Sequence, residues 1–411
     1  MKIILNKYPA ILFRLNYIYD EKVILIAPSN KAKKFDDSLK NGEHKAKIIF
    51  LEDYTLPNLV SSIRNISKEV EIESIITLCE EYIEWAGFLN DHFVEKNTVA
   101  VSNVMFKDKF IMRSFLQDVV KQPYFRLLES KKDLEKFWNA TNSKIAIIKP
   151  REGAACVGIK KIKKNTLLDD SYFDGNYLIE EFINIDKMIT CDGFSLGESI
   201  KRFFVHDNVE LLLESITSKG YYLLRTSELY RDLDLIKKAY SECQKVLKEF
   251  SVDKELTPFH FEWFFDNSKK CLVFCEVGKR FGGGDIPDLI EEAYDIDILK
   301  EYWQIISSND NLQDINFSEK INVPKKISAT FAAYVQSGLV ESIPSLDDLE
   351  WASRFYIGLK VGEIVQKADN IINNSMVVRF TSENEDDFNK KLKEINEIHK
   401  KIKYFEDVKN L

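Results

Sequence analysis

Apolar residues in this chain fall into two kinds of run, and the two alternate from the N-terminus onward. Short stretches rich in Val, Ile and Leu (KVILIAP at 22–28, KIIFL at 47–51, SIITL at 74–78) read as buried strands. Between them lie segments with apolar positions three and four apart, such as EEYIEWAGFLNDHF at 80–93. Short β-branched runs separated by helical periodicity predict βαβ units around a parallel sheet. DKFIMRSFLQDVV at 108–120 predicts an amphipathic helix, with Phe110, Met112, Phe115, Leu116 and Val119 near helical spacing.

The pattern changes at residue 144. KIAIIKP (144–150) predicts a strand broken by Pro150, followed by the small-residue loop REGAACVG and a second strand, GIKKIKK. NYLIEEFI (176–183) predicts a third strand, ELLLESI a further one, and LIKKAYSECQKVLKEF (235–250) a helix. FHFEWFF (259–265) and CLVFCEV (271–277) are joined by polar DNSKK, a connection of hairpin length. DLIEEAYDIDILKEYWQII reads as one helix. KISATFAAYV and VVRFT then predict strands before a charged helix near 384–403. The class is mixed α and β, in blocks near 1–105, 106–308 and 309–411.

Bulk properties narrow the function. A chain of 411 residues with 45% hydrophobic residues can bury a large core, and suggests two or three domains. The net charge of −8 lacks the basic excess of a nucleic-acid-binding face, so no nucleic-acid partner is expected. No apolar run approaches the ~18 residues that span a bilayer, and the opening MKIILNKYPAILFRLNYIYDE lacks the pattern of a signal peptide. Cys79, Cys156, Cys191, Cys243, Cys271 and Cys275 form no CxxC pair, which fits reduced thiols in a cytoplasmic protein. No membrane partner is expected.

Two segments carry candidate chemistry. In KPREGAACVGIKKI (149–162), Gly and Ala let backbone approach a ligand closely, and successive N–H groups in such a turn make an anion site. Lys149, at the end of the preceding strand, adds a point charge; the bland reading is a plain turn. In the hairpin, a turn centred on Lys269 would set Glu262 directly opposite Glu276. Paired carboxylates repel unless a cation lies between them, and Mg2+ suits one or two carboxylates plus phosphate oxygens. Arg280 offers a planar fork for phosphate or carboxylate, and Gly282, Gly283 and Gly284 let backbone pass close to a substrate. His260 should point to the same side as Glu262, either touching substrate or serving as a satisfied structural histidine. His44, His92, His206 and His399 read as surface residues. Cys156 reads as a small filler, and Cys271 and Cys275 as core.

Taken in order, these pieces resemble the ATP-grasp superfamily, and within it the branch of L-amino acid ligases and carnosine-synthase-like enzymes. DKFIMRSFL resembles the segment whose Lys meets ATP phosphate, here Lys109. IAIIKPREGAACVGI resembles the strand with Lys149 and the flexible loop over the phosphates: Gly153, Ala154, Ala155, Cys156, Val157 and Gly158. NYLIEEFI resembles the hinge strand, with Glu180 and then Glu181, Phe182 and Ile183 facing adenine. FHFEWFF and FCEVGKRFGGGDIP resemble the paired metal-ligand strands, with Glu262 and Glu276 as ligands. QSGLVESI, LKVGEIV and VVRFTSENEDDF resemble the branch's C-terminal region.

The resemblance implies an α/β (α+β), three-domain architecture. Its parts are a Rossmann-like pre-ATP-grasp domain over 1–105, an ATP-grasp domain over 106–308 with a lid near 110–185, and a C-terminal α/β subdomain over 309–411. It also implies ATP and Mg2+ as cofactors (with Mn2+ an allowed substitute) and small-molecule carboxylate and amine substrates. The expected reaction is carboxylate–amine ligation through an acyl phosphate, with Arg280 catalytic. A carrier-protein acceptor, a homodimer, phosphotransfer without ligation and a non-catalytic nucleotide-binding module are the alternatives it leaves open. Two departures stand out. Gly278 takes the place of a common third metal ligand, Asn. The stretch NIDKMITCDG is one residue longer than the usual form, so Asp186 as the ribose-contacting acid competes with Lys187 for that place.

Overall fold

The structure, a computed structural model, describes residues 1–39, 44–94, 98–153, 156–185, 187–308 and 321–405. Among these residues there are four sheets. The N-terminal sheet is parallel, with strands Lys47–Leu51, Val23–Pro28, Lys2–Leu5 and Ser74–Thr77 in that spatial order. Numbered along the chain this order is 3-2-1-4, the start of a doubly wound sheet, whose ligands sit beyond the carboxyl ends of the strands. A small antiparallel sheet follows, in the order Phe125–Leu127, Tyr177–Glu181, Ile145–Pro150, Lys160–Lys163.

The large sheet has eight strands, with every neighbouring pair antiparallel. Its order is Cys271–Gly278, Leu256–Asp266, Lys187–Leu196, Ser199–Asn208, Tyr221–Thr226, Ile327–Tyr334, Asn374–Ser382, Arg354–Ile357. Ile364–Val365, Gly338–Ser342 and Lys403–Phe405 form a fourth sheet.

Strand periodicity divides the large sheet into two chemically distinct faces. Along Leu256–Asp266, the side chains of Phe259, Phe261, Trp263 and Phe265 pack against helix Leu233–Phe250, which contributes Ile236, Ala239, Cys243, Val246, Leu247 and Phe250. The intervening His260, Glu262 and Phe264 face a cavity on the other side. The parallel sheet is clamped from both sides. Ile3, Leu5, Ile24 and Ile26 meet Leu59, Ile63, Ala86 and Leu89 on one face. Ile4, Leu25 and Ala27 share a core with Leu289, Ile290, Ile298 and Trp303 on the other. Trp303 Nε1 donates to the Phe13 carbonyl, and Arg14 is held by Asp288, Glu291 and Asp297. This packing brings the carboxyl end of the parallel sheet against the segment after Gly278.

Local structure departs from the pattern-based expectation in three places. ELLLESI is a helical turn rather than a strand: helix Leu212–Glu214 runs into Ser215–Lys219, and Gly220 at φ +79 ends it, so the chain returns as the antiparallel strand Tyr221–Thr226. The apolar stretch 288–306 is two helices, Ile286–Tyr294 and Ile298–Ser307. Asp295 is left-handed, at φ +59, and the Asp297 side chain caps the second helix by accepting from Lys300 N. Helix Lys109–Phe115 is shorter than its apolar pattern. Asp118 adopts φ +66 just beyond it, and Phe115 lies exposed. Among the described residues no helix is long and apolar enough to cross a membrane.

Trp263 is fully buried, with Phe261 stacked on it and Phe274 edge-on. Trp263→Ala should cost about 3–5 kcal/mol through lost burial and a residual cavity. A lowered thermal midpoint and a lowered urea midpoint check this.

Candidate active site

The cavity between the small sheet, the large sheet and the N-terminal sheet has a volume of about 1090 Å3. At its floor lies the hairpin Leu256–Asp266/Cys271–Gly278. Asp266 pairs with Cys271 across a turn at 267–270, so the turn is not the one centred on Lys269. Continued unbroken, that register would set Glu262 opposite Cys275. A bulge intervenes: Trp263 pairs with Phe274, but Glu262 pairs with Glu276. Cys275 is the inserted residue, and both it and Glu276 line the cavity. The carboxylates therefore stand opposite each other through a longer turn compensated by a bulge.

Cations gather around them. Lys109 opens helix Lys109–Phe115, whose N-cap Asp108 accepts from Phe110 N and Ile111 N and pairs with Arg151. Lys109 Nζ lies 3.4 Å from Glu276 Oε2 and donates to the Gly153 carbonyl at 3.0 Å. Burial works against the ammonium charge, but Glu276, Glu80 and Glu262 raise the Lys109 pKa on balance. Burial likewise opposes ionisation of Glu276, and Lys109 and Lys149 hold its pKa below the usual carboxylate range. Lys149 Nζ meets Glu180 Oε1 at 2.7 Å, and Arg113 Nη2 meets the other oxygen at 2.6 Å.

In the hinge strand, Glu180 points inward to these cations. The Glu181 carboxylate engages Thr141 and the Tyr124 amide. Phe182 and Ile183 line the cavity beyond it, with the Lys161 ammonium 3.7 Å from the Phe182 ring centroid. In the small-residue loop, Gly153, Cys156 and Val157 line the cavity, whereas Gly158 is a turn glycine at φ +76 against Pro150. Ala154, Ala155 and Asp186 lie outside the described residues. Burial and the two hairpin carboxylates push the Cys156 thiol up to about 12, so it stays protonated.

Arg280 is fixed by a residue the sequence reading missed. Its Nε donates to Glu80 Oε2 at 2.7 Å and its Nη1 to the Phe281 carbonyl at 3.0 Å. Glu80 follows the last strand of the parallel sheet, the position where such sheets place ligand-facing groups. Burial opposes its charge, but Arg280 and Lys107 bring its pKa down to about 2.

His260 is part of a buried chain. Its Nδ1 lies 2.7 Å from Asp192 Oδ1, and its Nε2 lies 3.5 Å from Glu262 Oε1. Burial disfavours its charge, yet Asp192 and Glu262 carry it up to about 9. A Cβ on Gly282 would sit 2.6 Å from both Asp192 Oδ1 and His260 Nδ1, so only glycine leaves room for this pair. Gly283 faces open space, and Gly284 at φ +66 turns the chain beside Tyr222. His206 is not a surface residue: it is 0% exposed, beside Asp192, on the strand next to that of Asp192. His44 and His399 are half-buried rather than exposed.

Among the described residues no group of three or more His, Cys, Asp or Glu could hold a metal ion. Two opposed carboxylates with no further side-chain ligand are a donor set for a hard cation that completes its shell with water and phosphate oxygens, which fits Mg2+.

Neither a protein-family model nor a curated protein matches the chain. Solved structures do match. The L-amino acid ligase from Bacillus licheniformis superposes with a TM-score of 0.72 at 14% identity, over 99% of this chain and 98% of that one. Phosphoribosylglycinamide synthetase from Anaerococcus prevotii gives 0.63 at 16% identity, over 99% of both chains. N5-carboxyaminoimidazole synthetase from Staphylococcus aureus, complexed with ADP, gives 0.63 at 13% identity, over 95% of both chains. These are ATP-grasp ligases, and across nearly its whole length this chain has their fold.

Proposed function

We propose that this protein uses ATP to activate a carboxylate, of amino-acid type, as an acyl phosphate. An amine then displaces the phosphate, giving an amide or dipeptide with release of ADP and phosphate. The observation that carries this reading is Glu262 facing Glu276 at the floor of one cavity, with Lys109, Lys149 and Arg280 on its walls.

In this reading the segment 1–105 forms one wall through Glu80, and 106–308 carries the nucleotide. The segment 309–411 completes the sheet that floors the cavity. Backbone at Glu181, Phe182 and Ile183 faces the base. Lys109 and Lys149 hold the phosphates, as point charges suited to mobile anionic oxygens. Bound Mg2+ would be held by Glu262 and Glu276 and would neutralise charge on the β- and γ-phosphates. Arg280, aimed by Glu80 and the Phe281 carbonyl, keeps its Nη2 for the oxyanion that forms as the amine attacks. The small-residue loop after Lys149 closes over the phosphates and keeps water from the acyl phosphate. The neighbours support this chemistry by their printed activities, and the one bound to ADP supports the nucleotide.

Glu276→Gln and Arg280→Ala should each abolish substrate-dependent ADP formation while the protein stays folded, with Arg280→Ala melting below the parent because Glu80 loses its partner. ADP formation by Arg280→Ala at the parental rate removes that residue from the mechanism. A screen of amino acid pairs for ADP release, followed by mass measurement of the product, tests the reaction itself.

The pairing of Glu80 with Arg280 has its own pH signature. The folded pKa of about 2 lies below the unfolded value of about 4.3, so the stabilisation is complete above the unfolded pKa and fades as pH falls toward 2. Glu80→Gln should therefore melt below the parent at pH 7, and the gap should close by pH 2. A gap that stays constant with pH would mean that Glu80 is not held ionised by its cationic neighbours.

A further inference from the structure

We infer that Arg113 is a positioning residue that holds the hairpin bulge in place and so fixes Glu276 opposite Glu262. The bulge inserts Cys275 into its strand, and an inserted residue loses its ladder partner. The Cys275 carbonyl accepts instead from Arg113 Nη2 at 2.9 Å. The same nitrogen meets Glu180 Oε2 at 2.6 Å, on the hinge strand of the small sheet. One guanidinium thus bridges the strand proposed to face adenine and the strand proposed to hold the metal.

The surroundings are built for this bridge. Lys109 and Arg113 are four residues apart on helix Lys109–Phe115 and share a face. Lys109 makes a parallel bridge, from the Gly153 carbonyl to Glu276. Gln122 braces Arg113 from the side: its Oε1 lies 3.4 Å from Nη1, and its Nε2 donates to the Arg113 carbonyl at 2.8 Å. Phe274, the residue before the bulge, donates its N–H to the Lys121 carbonyl at 2.8 Å, so the same connection also docks the sheet edge. Arg113 is 1% exposed. An apolar side chain of similar volume would fill that space without the desolvation cost of a buried charge. The guanidinium turns Nη2 to the Cys275 carbonyl and Glu180 while Nη1 faces Gln122 Oε1, a planar set of donors that an ammonium on a flexible stem does not supply.

This inference rests on the proposed nucleotide and metal site, and calorimetry separates the two. ADP is titrated into the parent and into Arg113→Lys, without Mg2+ and then across a Mg2+ series. Thermal melting confirms that the variant is folded. The variant should bind ADP without Mg2+ within about threefold of the parent. Its Mg2+ midpoint should rise about tenfold or more, the usual range when a group supporting a metal ligand is lost. If Arg113→Lys does not accumulate folded, Gln122→Ala, which frees the guanidinium on one side, should move the Mg2+ midpoint the same way by a smaller factor. A folded variant with the parental Mg2+ midpoint overturns the inference, as does an equal loss of Mg2+-free and Mg2+-dependent binding. A parent that binds no ADP refutes the functional reading, and this inference with it.

Discussion

The structure depends on compensating acidic charge inside a cavity. Two carboxylates opposite each other on paired strands repel, and burial raises the cost of ionising Glu276. Glu276 is nonetheless kept ionised because Lys109 and Lys149 reach it from separate elements. Lys109 comes from the helix after the parallel sheet, Lys149 from the small sheet, and Arg280 from the loop beyond the hairpin itself. Each cation is in turn aimed by a second carboxylate or carbonyl: Lys109 by Gly153, Lys149 by Glu180, Arg280 by Glu80. The site therefore exists only when these parts of the chain are folded against one another. The shared core of Ile4, Leu25 and Ala27 with Leu289, Ile290 and Trp303 is part of the chemistry, because it carries Glu80 to Arg280.

The large sheet supplies the second constraint. Strand alternation gives one aromatic face, sealed by helix Leu233–Phe250, and one face that can carry His260, Glu262 and Phe264 toward a ligand. Without the bulge, Glu276 would lie one position out of register with Glu262 and on the other side of its strand. A one-residue irregularity thus separates a binding floor from a sheet with a buried unpaired acid.

Much of this was legible in the residues. The alternating apolar runs gave the parallel sheet. The run FHFEWFF, with bulky residues around a Glu, gave a strand with a core face and a polar face. Lys149, Glu262, Glu276 and Arg280 stand out as charged residues beside apolar or glycine-rich stretches, whereas Lys109 is reached only through the resemblance to the ATP-grasp superfamily. What was hidden was set by contacts distant in sequence. Glu80 meets Arg280 200 residues away, and Arg113 meets Cys275 162 residues away. Asp192 and His206 lie on strands whose polar interruptions mask their period, so His206 looked like a surface residue when it is sealed inside the sheet. The turn at 267–270 and the bulge each shift the register by one residue in opposite senses. A symmetric-turn assumption therefore reached the right pairing of carboxylates through the wrong loop. The break between Ile286–Tyr294 and Ile298–Ser307 was written in the chain as Asp295 and Asp297, a left-handed residue and a cap within an otherwise helical pattern.

The electrostatics of the cavity also bear on what it can admit. Carboxylates outnumber Lys and Arg side chains among the residues lining it, and the cations nearest the hairpin are already paired with Glu276, Glu180 and Glu80. A bare polyphosphate entering such a space would meet more negative than positive charge. In the proposed reading Glu262 and Glu276 would hold a hard divalent ion, whose charge would reverse that balance locally and favour phosphate oxygens. In the proposed reading, nucleotide and cation are therefore coupled partners. The acidic hairpin by itself weakens nucleotide binding without abolishing it, and the nucleotide would supply the oxygens that the two-carboxylate site lacks. That mutual dependence gives the fixed spacing of the two strands its importance, because an ion with near-ideal octahedral demands tolerates little drift in either carboxylate.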